Sequence, residues 1–228
     1  MCQELLALEN KETWAVVDLP PGKKPIGSKW VFKTKLNPNG SVEWYKARLV
    51  SKGYIQVEGV DYFDIFSPVA KSVTVRILLA VASASNWVLR QIDINNAFLH
   101  GYLNEDIYMT PPDGYSVRVG KVCKLKRSLY GLKQASRQWN QELTSKLLQF
   151  GFLQSTHDHC LFVKNTVAGL LVLLTYVDDL LIASPSESLI TEVKTFLHDA
   201  FSIKDLGLKV FSWIGDSPFC RWYFSFPA

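Results

Sequence analysis

The chain has 228 residues, 48% of them apolar and 20% charged. That is enough for one large domain or two small lobes with a real core, and it excludes disorder over most of the length. The longest apolar run stops at Asp178, too short to span a bilayer, and Glu4, Glu9 and Lys11 interrupt the N-terminal stretch where a secretory leader would lie. A soluble, cytoplasmic protein with no membrane partner is therefore expected.

The net charge of +4 is mild, but its distribution is uneven. Arg118 to Arg137 carries seven Lys or Arg and no acid, and "KWVFKTKLNPNGSVEWYKARLVSKG" carries six against the single acid Glu43. Basic strips with interleaved aromatics suit a polyphosphate backbone, and they also suit an ordinary solvated face. The four cysteines, Cys2, Cys123, Cys160 and Cys220, form no C-x-x-C pair and are expected as free thiols. His157, His159 and Cys160 cluster in "STHDHC", which fits a strand-entry turn better than any common zinc pattern.

In chain order, Gln3 to Glu9 predicts a short helix and the alternation of "WAVVDL" a strand. Two strand-like runs around "NPNG" predict a hairpin, with Lys33, Lys35, Lys46 and Arg48 at period two on its arms. Helical periodicity runs from Ser72 to Trp87, followed by a strand in "VLRQID" that carries Asp93 near its end and a helix start at "NNAFLHG". Ile107–Met109 and Val122–Leu125 read as strands, and Lys133–Phe150 as a helix stopped by Gly151. Leu161–Val163, Leu170–Tyr176 and Leu180–Ala183 read as strands. "SPSE" predicts a helix start, with Ser184 as cap, Pro185 in the first turn and Glu187 completing a capping box. The order indicates an α+β fold with helices on one face of a largely antiparallel sheet.

Asp178 and Asp179 sit side by side in the most apolar stretch, "GLLVLLTYVDDLLIAS". Buried without partners, such a pair is costly and one carboxyl would protonate. The residues leave three readings open: the exposed tip of a tight hairpin, an acid pair met by Lys or Arg, or a divalent-metal site. The metal reading needs a further acid from a neighbouring strand, and Asp93 is the candidate.

"YVDD" between two hydrophobic strands resembles the catalytic hairpin of reverse transcriptases. Together with "ETWAVVDLPPGKKPIGSKWVFKTKLNPNGSVEWYKARLVSKGY", "DYFDIFSPVAKSVTVR", "QIDINNAFLHGYLNEDIYMTPPDGY", "CKLKRSLYGLKQASRQW" and "FSIKDLG", it resembles the reverse transcriptases of copia-type retrotransposons, in the family's order, from about Gln3 to Leu208. The resemblance implies a right-hand polymerase, with the antiparallel palm sheet backed by helices. Residues 1–90 are then mainly fingers, with the basic hairpin at about 29–50 and the helix at about 72–87. Residues 91–211 are palm with an inserted fingers segment at about 104–140, and a thumb is expected to be absent. It implies RNA-directed DNA polymerisation by two-metal nucleotidyl transfer on an RNA or DNA template-primer with deoxynucleoside triphosphates. The ions are Mg²⁺, or Mn²⁺ in its place, held by Asp93 and Asp178, with Asp179 as third carboxylate and the backbone carbonyl of Ile94 facing a metal. Phe98 matches the aromatic steric gate, although a core role fits its pattern nearly as well. Gly131 matches the glycine that lets the backbone approach the nascent base pair. Lys33, Lys35, Lys46 and Arg48 are implied triphosphate contacts; Tyr176, Lys133 and Gln134 are implied template or primer contacts. Such domains are parts of polyproteins with integrase and ribonuclease H, which places them in cytoplasm, virus-like particles or nucleus.

The chain departs from the pattern in three places. Asn95 stands where Lys or a similar polar residue is usual, Trp44 where Arg or a polar residue is usual, and after "KDLGLKVF" the family would continue with something like "LGLEIA". The string GTA TTT CTT GGA TTG GAG ATA GCC encodes V-F-L-G-L-E-I-A. One T added after TTT gives V-F-S-W-I-G-D-S, as found here from Val210. Residues 212–228 are therefore expected to be an out-of-frame tail, and the fragment to be either an active polymerase domain or an inactive remnant that binds nucleic acid. An open reading frame with no family-like sequence in the other register refutes the frameshift.

Overall fold

In a computed structural model the elements run in this order: α1 (Cys2–Asn10), β1 (Trp14–Asp18), β2 (Ser28–Leu36), β3 (Val42–Ser51), α2 (Ser72–Ala84), β4 (Val88–Ile94), β5 (Tyr108–Met109), β6 (Lys121–Leu125), α3 (Ala135–Gln149), β7 (Leu153–Gln154), β8 (Leu161–Thr166), β9 (Gly169–Tyr176), β10 (Asp179–Ser184), α4 (Glu187–Ala200) and β11 (Ile203–Gly207). The structure describes residues 1–37 and 39–207, so the expected out-of-frame tail lies outside the described residues. The class is mixed α and β with antiparallel sheets. Among the described residues no helix is long and apolar enough to cross a membrane.

The chain divides into two compact units. The first joins Met1–Ser67 to Phe98–Glu142. Its three-stranded sheet has the order β1-β6-β5, and β2 pairs with β3 as a separate antiparallel ribbon. Leu5, Leu8, Trp14, Ile26, Leu49 and Met109 belong to one buried cluster that closes this unit. Period two places Lys33, Lys35, Lys46 and Arg48 on a single ribbon face, because Lys33 pairs with Lys46, Val31 with Arg48 and Lys35 with Trp44. Phe32 and Tyr45 fall on the other face and are well exposed.

The second unit joins Pro68–Ala97 to the described residues from Leu143. It is built on a six-stranded sheet of order β11-β4-β10-β9-β8-β7, every neighbouring pair antiparallel. β9 and β10 lie at its centre, and their near-continuous apolar runs are what a strand covered on both faces requires. Val75, Leu78 and Ala82 of α2 cluster with Leu89, Val172, Leu174, Leu181 and Ala183. α4 also packs against β10, yet none of its buried residues joins that cluster. Helices therefore cover this sheet from both sides, and the expectation of helices on one face is corrected. Asn86, at φ 52°, and Gly151, at φ 94°, supply the left-handed stops after α2 and α3.

Two further local expectations change. α4 is capped at Ser186, not Ser184, and Ser186 makes no side-chain cap bond. With the helix beginning at Glu187, that residue holds its first position and not the third, so no capping box forms, and its carboxylate instead accepts from Nη2 of Arg90 at 3.0 and 3.1 Å. At "NNAFLHG" a 3₁₀ turn, Ala97–His100, forms in place of an α-helix. The "STHDHC" segment is a turn before β8, organised by buried Asp158. Its carboxylate accepts from Thr74 Oγ1 at 2.6 Å and from the backbone N–H groups of Lys71 and Cys160. Burial works against its ionisation, but these bonds and the Lys71 charge outweigh burial and hold its carboxyl below the usual range.

Candidate active site

The two aspartates of "YVDD" divide between a turn and a strand. β9 ends at Tyr176 and β10 begins at Asp179, and these two residues pair, so Val177 and Asp178 alone form the corner. Val177 has φ 55°. A β-branched residue in the left-handed region is strained by about 1–2 kcal/mol, and the flanking ladder holds it there.

Pairing then sets the site. Asp179 is directly opposite Asp93 of β4, and Asp93 is opposite Lys204 of β11 on its other side. Lys204, Asp93, Asp179 and Tyr176 thus form one row across four strands, all on one sheet face. Side chains directly opposite have Cβ atoms about 4.5–5.5 Å apart, where like charges destabilise the pair. The Ile94 N–H donates to the Asp178 carbonyl at 2.8 Å and ties the end of β4 to the hairpin corner. All three carboxylates are half-buried.

One polar residue that sequence reasoning passed over belongs here. Gln91 lies two positions before Asp93, on the same face of β4, and is 8% exposed. Its Nε2 donates to Asp179 Oδ1 at 3.0 Å, and its Oε1 is buried without a hydrogen-bond donor. The available signal was the amide itself, an uncharged polar group inside the apolar run "VLRQID". Lys204 carried no signal, since only strand register places it beside Asp93.

The other expected site residues lie in the first unit. Lys33 and Lys35 are exposed on the ribbon; Lys46 and Arg48 are half-buried, lying over the rings of Trp44 and Tyr130 at 5.5 and 5.1 Å. Phe98 packs edge-on against Tyr130, centroids 4.8 Å apart, at the border of the buried cluster. Gly131 has φ 90°, and a Cβ there would meet the Ser51 carbonyl oxygen at 2.2 Å. The close approach it permits is to the end of β3. Lys133 Nζ donates to the Tyr62 hydroxyl at 3.2 Å. Gln134, expected at the template, is wholly buried instead. Its amide donates to the Asp61 carbonyl at 3.0 Å and accepts from Gln56 at 3.1 Å, so it is spent on holding this unit together.

Residues 11–215 match the family model described as reverse transcriptase (RNA-dependent DNA polymerase). The chain belongs to this reverse transcriptase family. It is 45% identical over 208 residues to the retrovirus-related Pol polyprotein from transposon RE1 of Arabidopsis thaliana, covering 90% of this chain and 14% of that protein. It is 42% identical over 210 residues to the Pol polyprotein from transposon TNT 1-94 of Nicotiana tabacum, covering 91% and 16%. The chain thus spans about one seventh of the length of the curated relatives it matches. Among solved structures, telomerase from Candida albicans in complex with a fragment of telomeric RNA matches at a TM-score of 0.46 and 8% identity, over 91% of this chain and 46% of that one, a likeness too loose to inform the fold.

Family membership implies a divalent cation, and the donor chemistry here fits one. The site offers hard carboxylate oxygens, two of them on residues directly opposite each other across neighbouring strands, beside a buried acceptor that lacks a donor. Among the described residues no group of three or more His, Cys, Asp or Glu is gathered into a ready cage.

Proposed function

We propose that this chain is the RNA-directed DNA polymerase segment of a copia-type Pol polyprotein. The unit built on the six-stranded sheet is its palm, and the unit carrying the basic ribbon is its fingers, so α2, expected with the fingers, is assigned to the palm. The reading rests on one observation: strand register sets Asp93 opposite Asp179 and puts Asp178 at the hairpin corner of a chain that matches the family.

The reaction is nucleotidyl transfer. The primer 3′-oxygen forms a bond to the α-phosphorus of a deoxynucleoside triphosphate, the bond to the β-phosphate oxygen breaks, pyrophosphate leaves, and the hydroxyl proton passes to solvent. Bound Mg²⁺, or Mn²⁺ in its place, supplies charge neutralisation for the attacking and leaving oxygens. Asp93 and Asp178 would hold the cations, assisted by the Ile94 carbonyl. Asp179, already bonded to Gln91, supports their placement. Lys33, Lys35, Lys46 and Arg48 take the triphosphate, Phe98 excludes a ribose 2′-hydroxyl, and Tyr176 and Lys133 contact template-primer. In the full-length polyprotein, integrase and ribonuclease H are its neighbours.

Primer extension on an RNA template with Mg²⁺ tests the reading. Incorporation is expected, and Asp178→Asn should abolish it. Salt-sensitive binding of template-primer without incorporation would instead make the chain a nucleic-acid-binding relic.

A further inference from the structure

We propose that Gln91 is a positioning residue of the carboxylate site. The inference rests on the polymerase reading above and assigns a role to a residue which that reading leaves unused.

Gln91 is a buried polar side chain in an interior strand of a largely apolar sheet. β4 reads Val88, Leu89, Arg90, Gln91, Ile92, Asp93, Ile94, and along its carboxylate face Leu89 packs into the α2 cluster. A leucine or valine at 91 would extend that packing. The amide instead bridges diagonally to Asp179, the residue opposite Asp93. An uncharged N–H donor is the group that can hold a carboxylate oxygen between two like charges without cancelling the negative field a divalent cation needs. A lysine there would neutralise the site, and an apolar residue would leave Asp179 free to swing away from Asp93.

The second half of the amide carries the same implication. Oε1 is buried and accepts no hydrogen bond in the structure. An unmet buried acceptor costs about 1–3 kcal/mol, so a fold keeps one where its other half is needed or where a donor arrives with a ligand. A hydrated divalent cation brings a shell of water O–H donors. Gln91 faces Leu181 on β10 and Gly207 on β11, and neither side chain can supply a donor. Oε1 is thus suited to accept from a water on a cation held by Asp93, while Nε2 fixes Asp179. Groups of this kind, which orient a ligand rather than bind the ion, typically change metal affinity by about 10–100-fold when removed.

The test uses the full chain and two readouts. Mn²⁺ binding to the free protein is followed by electron paramagnetic resonance, and primer extension is titrated with Mg²⁺. Gln91→Leu keeps the side-chain size and should unfold within a few degrees of wild type. Its half-saturating Mn²⁺ concentration, and the Mg²⁺ concentration for half-maximal extension, should each rise roughly tenfold. Gln91→Met keeps the length of the side chain but has no N–H donor, and should weaken Mn²⁺ binding about as much. If both variants bind Mn²⁺ as wild type does while Asp178→Asn does not, Gln91 is only packing and the proposal fails alone. If the wild-type chain itself neither binds Mn²⁺ nor extends a primer, the polymerase reading fails and the proposal goes with it.

Discussion

Replacing Gly131 with alanine should damage the fold, not only nucleotide incorporation. Gly131 has φ 90°, where an L-residue is disfavoured by about 1–2 kcal/mol. A Cβ at this position would stand 2.2 Å from the Ser51 carbonyl oxygen and 2.8 Å from Val50 Cγ1. The first of these is backbone at the end of β3, which cannot rotate away as a side-chain tip can. Clearing it stretches the bond that the Ser51 N–H donates to the Tyr130 carbonyl, now 2.8 Å, at about 1 kcal/mol. The opposite side is equally tight, because a Cβ on Gly53 would meet the Gly131 carbonyl oxygen at 2.0 Å. Adding an overpacking cost of about 1–3 kcal/mol gives about 3–6 kcal/mol, against a typical total stability of about 5–15 kcal/mol. For a chain of this size each kcal/mol moves the midpoint by about 2–4 °C, so the loss should exceed about 6 °C. Thermal unfolding followed by circular dichroism measures it, and hydrogen exchange should show lost protection in residues 51–56 and 130–135. A variant with the wild-type midpoint and protection would refute the reasoning, and if it had also lost incorporation, Gly131 would serve the substrate and not the chain.

Three other outcomes are expected. Asp158 has a carboxyl held below the usual range, so its stabilisation is complete above its unfolded pKa of about 3.9 and is lost as pH falls through the lower folded value; Asp158→Asn should flatten the acid limb of a stability-versus-pH curve below about pH 4 and lower stability by about 1–3 kcal/mol at neutral pH. Val177→Gly should relieve the positive-φ strain and leave stability unchanged or raised by up to about 1 kcal/mol, read by urea unfolding, whereas a clear loss would mean that the Val177 side chain stabilises the corner. Burial pushes the Cys123 thiol up to about 12 and the Cys160 thiol up to about 11, so both should resist a disulfide reagent at pH 8 in the native state and react once urea is added, while exposed Cys2 reacts at once.

Much of the fold could be read in the residues because its elements are local. The α1 stripe of Leu5 and Leu8, the Asn-Gly turn between β2 and β3, and the Gly151 stop each act within a few positions. What could not be read depends on partners distant in sequence. "SPSE" satisfies a capping rule locally, yet Arg90, 97 positions away, captures Glu187. β11, Ile-Lys-Asp-Leu-Gly, has too little apolar alternation to announce itself, and it forms because β4 offers it an edge. Gln134 stood next to Lys133 in a basic strip and read as a nucleic-acid contact, but Gln56 and Asp61 claim its amide. Asp93, Asp178 and Asp179 were legible as types, while their register was a property of the sheet.

Two adjacent aspartates in an apolar run need not behave as a pair. In an unbroken strand they would point to opposite faces, and one would enter the apolar core. Here the corner formed by Val177 and Asp178 keeps Asp178 out of the strand that begins at Asp179. Asp179 enters the ladder on the face it shares with Asp93, and Asp178 stays at the turn, its carbonyl bonded to Ile94. The hairpin thus converts two neighbours in sequence into two groups with different jobs. One is fixed by register and by the Gln91 amide; the other sits in the two-residue turn that joins β9 to β10, outside the ladder. The division gives a separable expectation. Asp179→Asn keeps an oxygen for Gln91 and should retain a trace of Mn²⁺ binding, whereas Asp178→Asn removes the charge at the corner and should leave none. Equal loss in the two variants would mean that the corner and the ladder position do the same work.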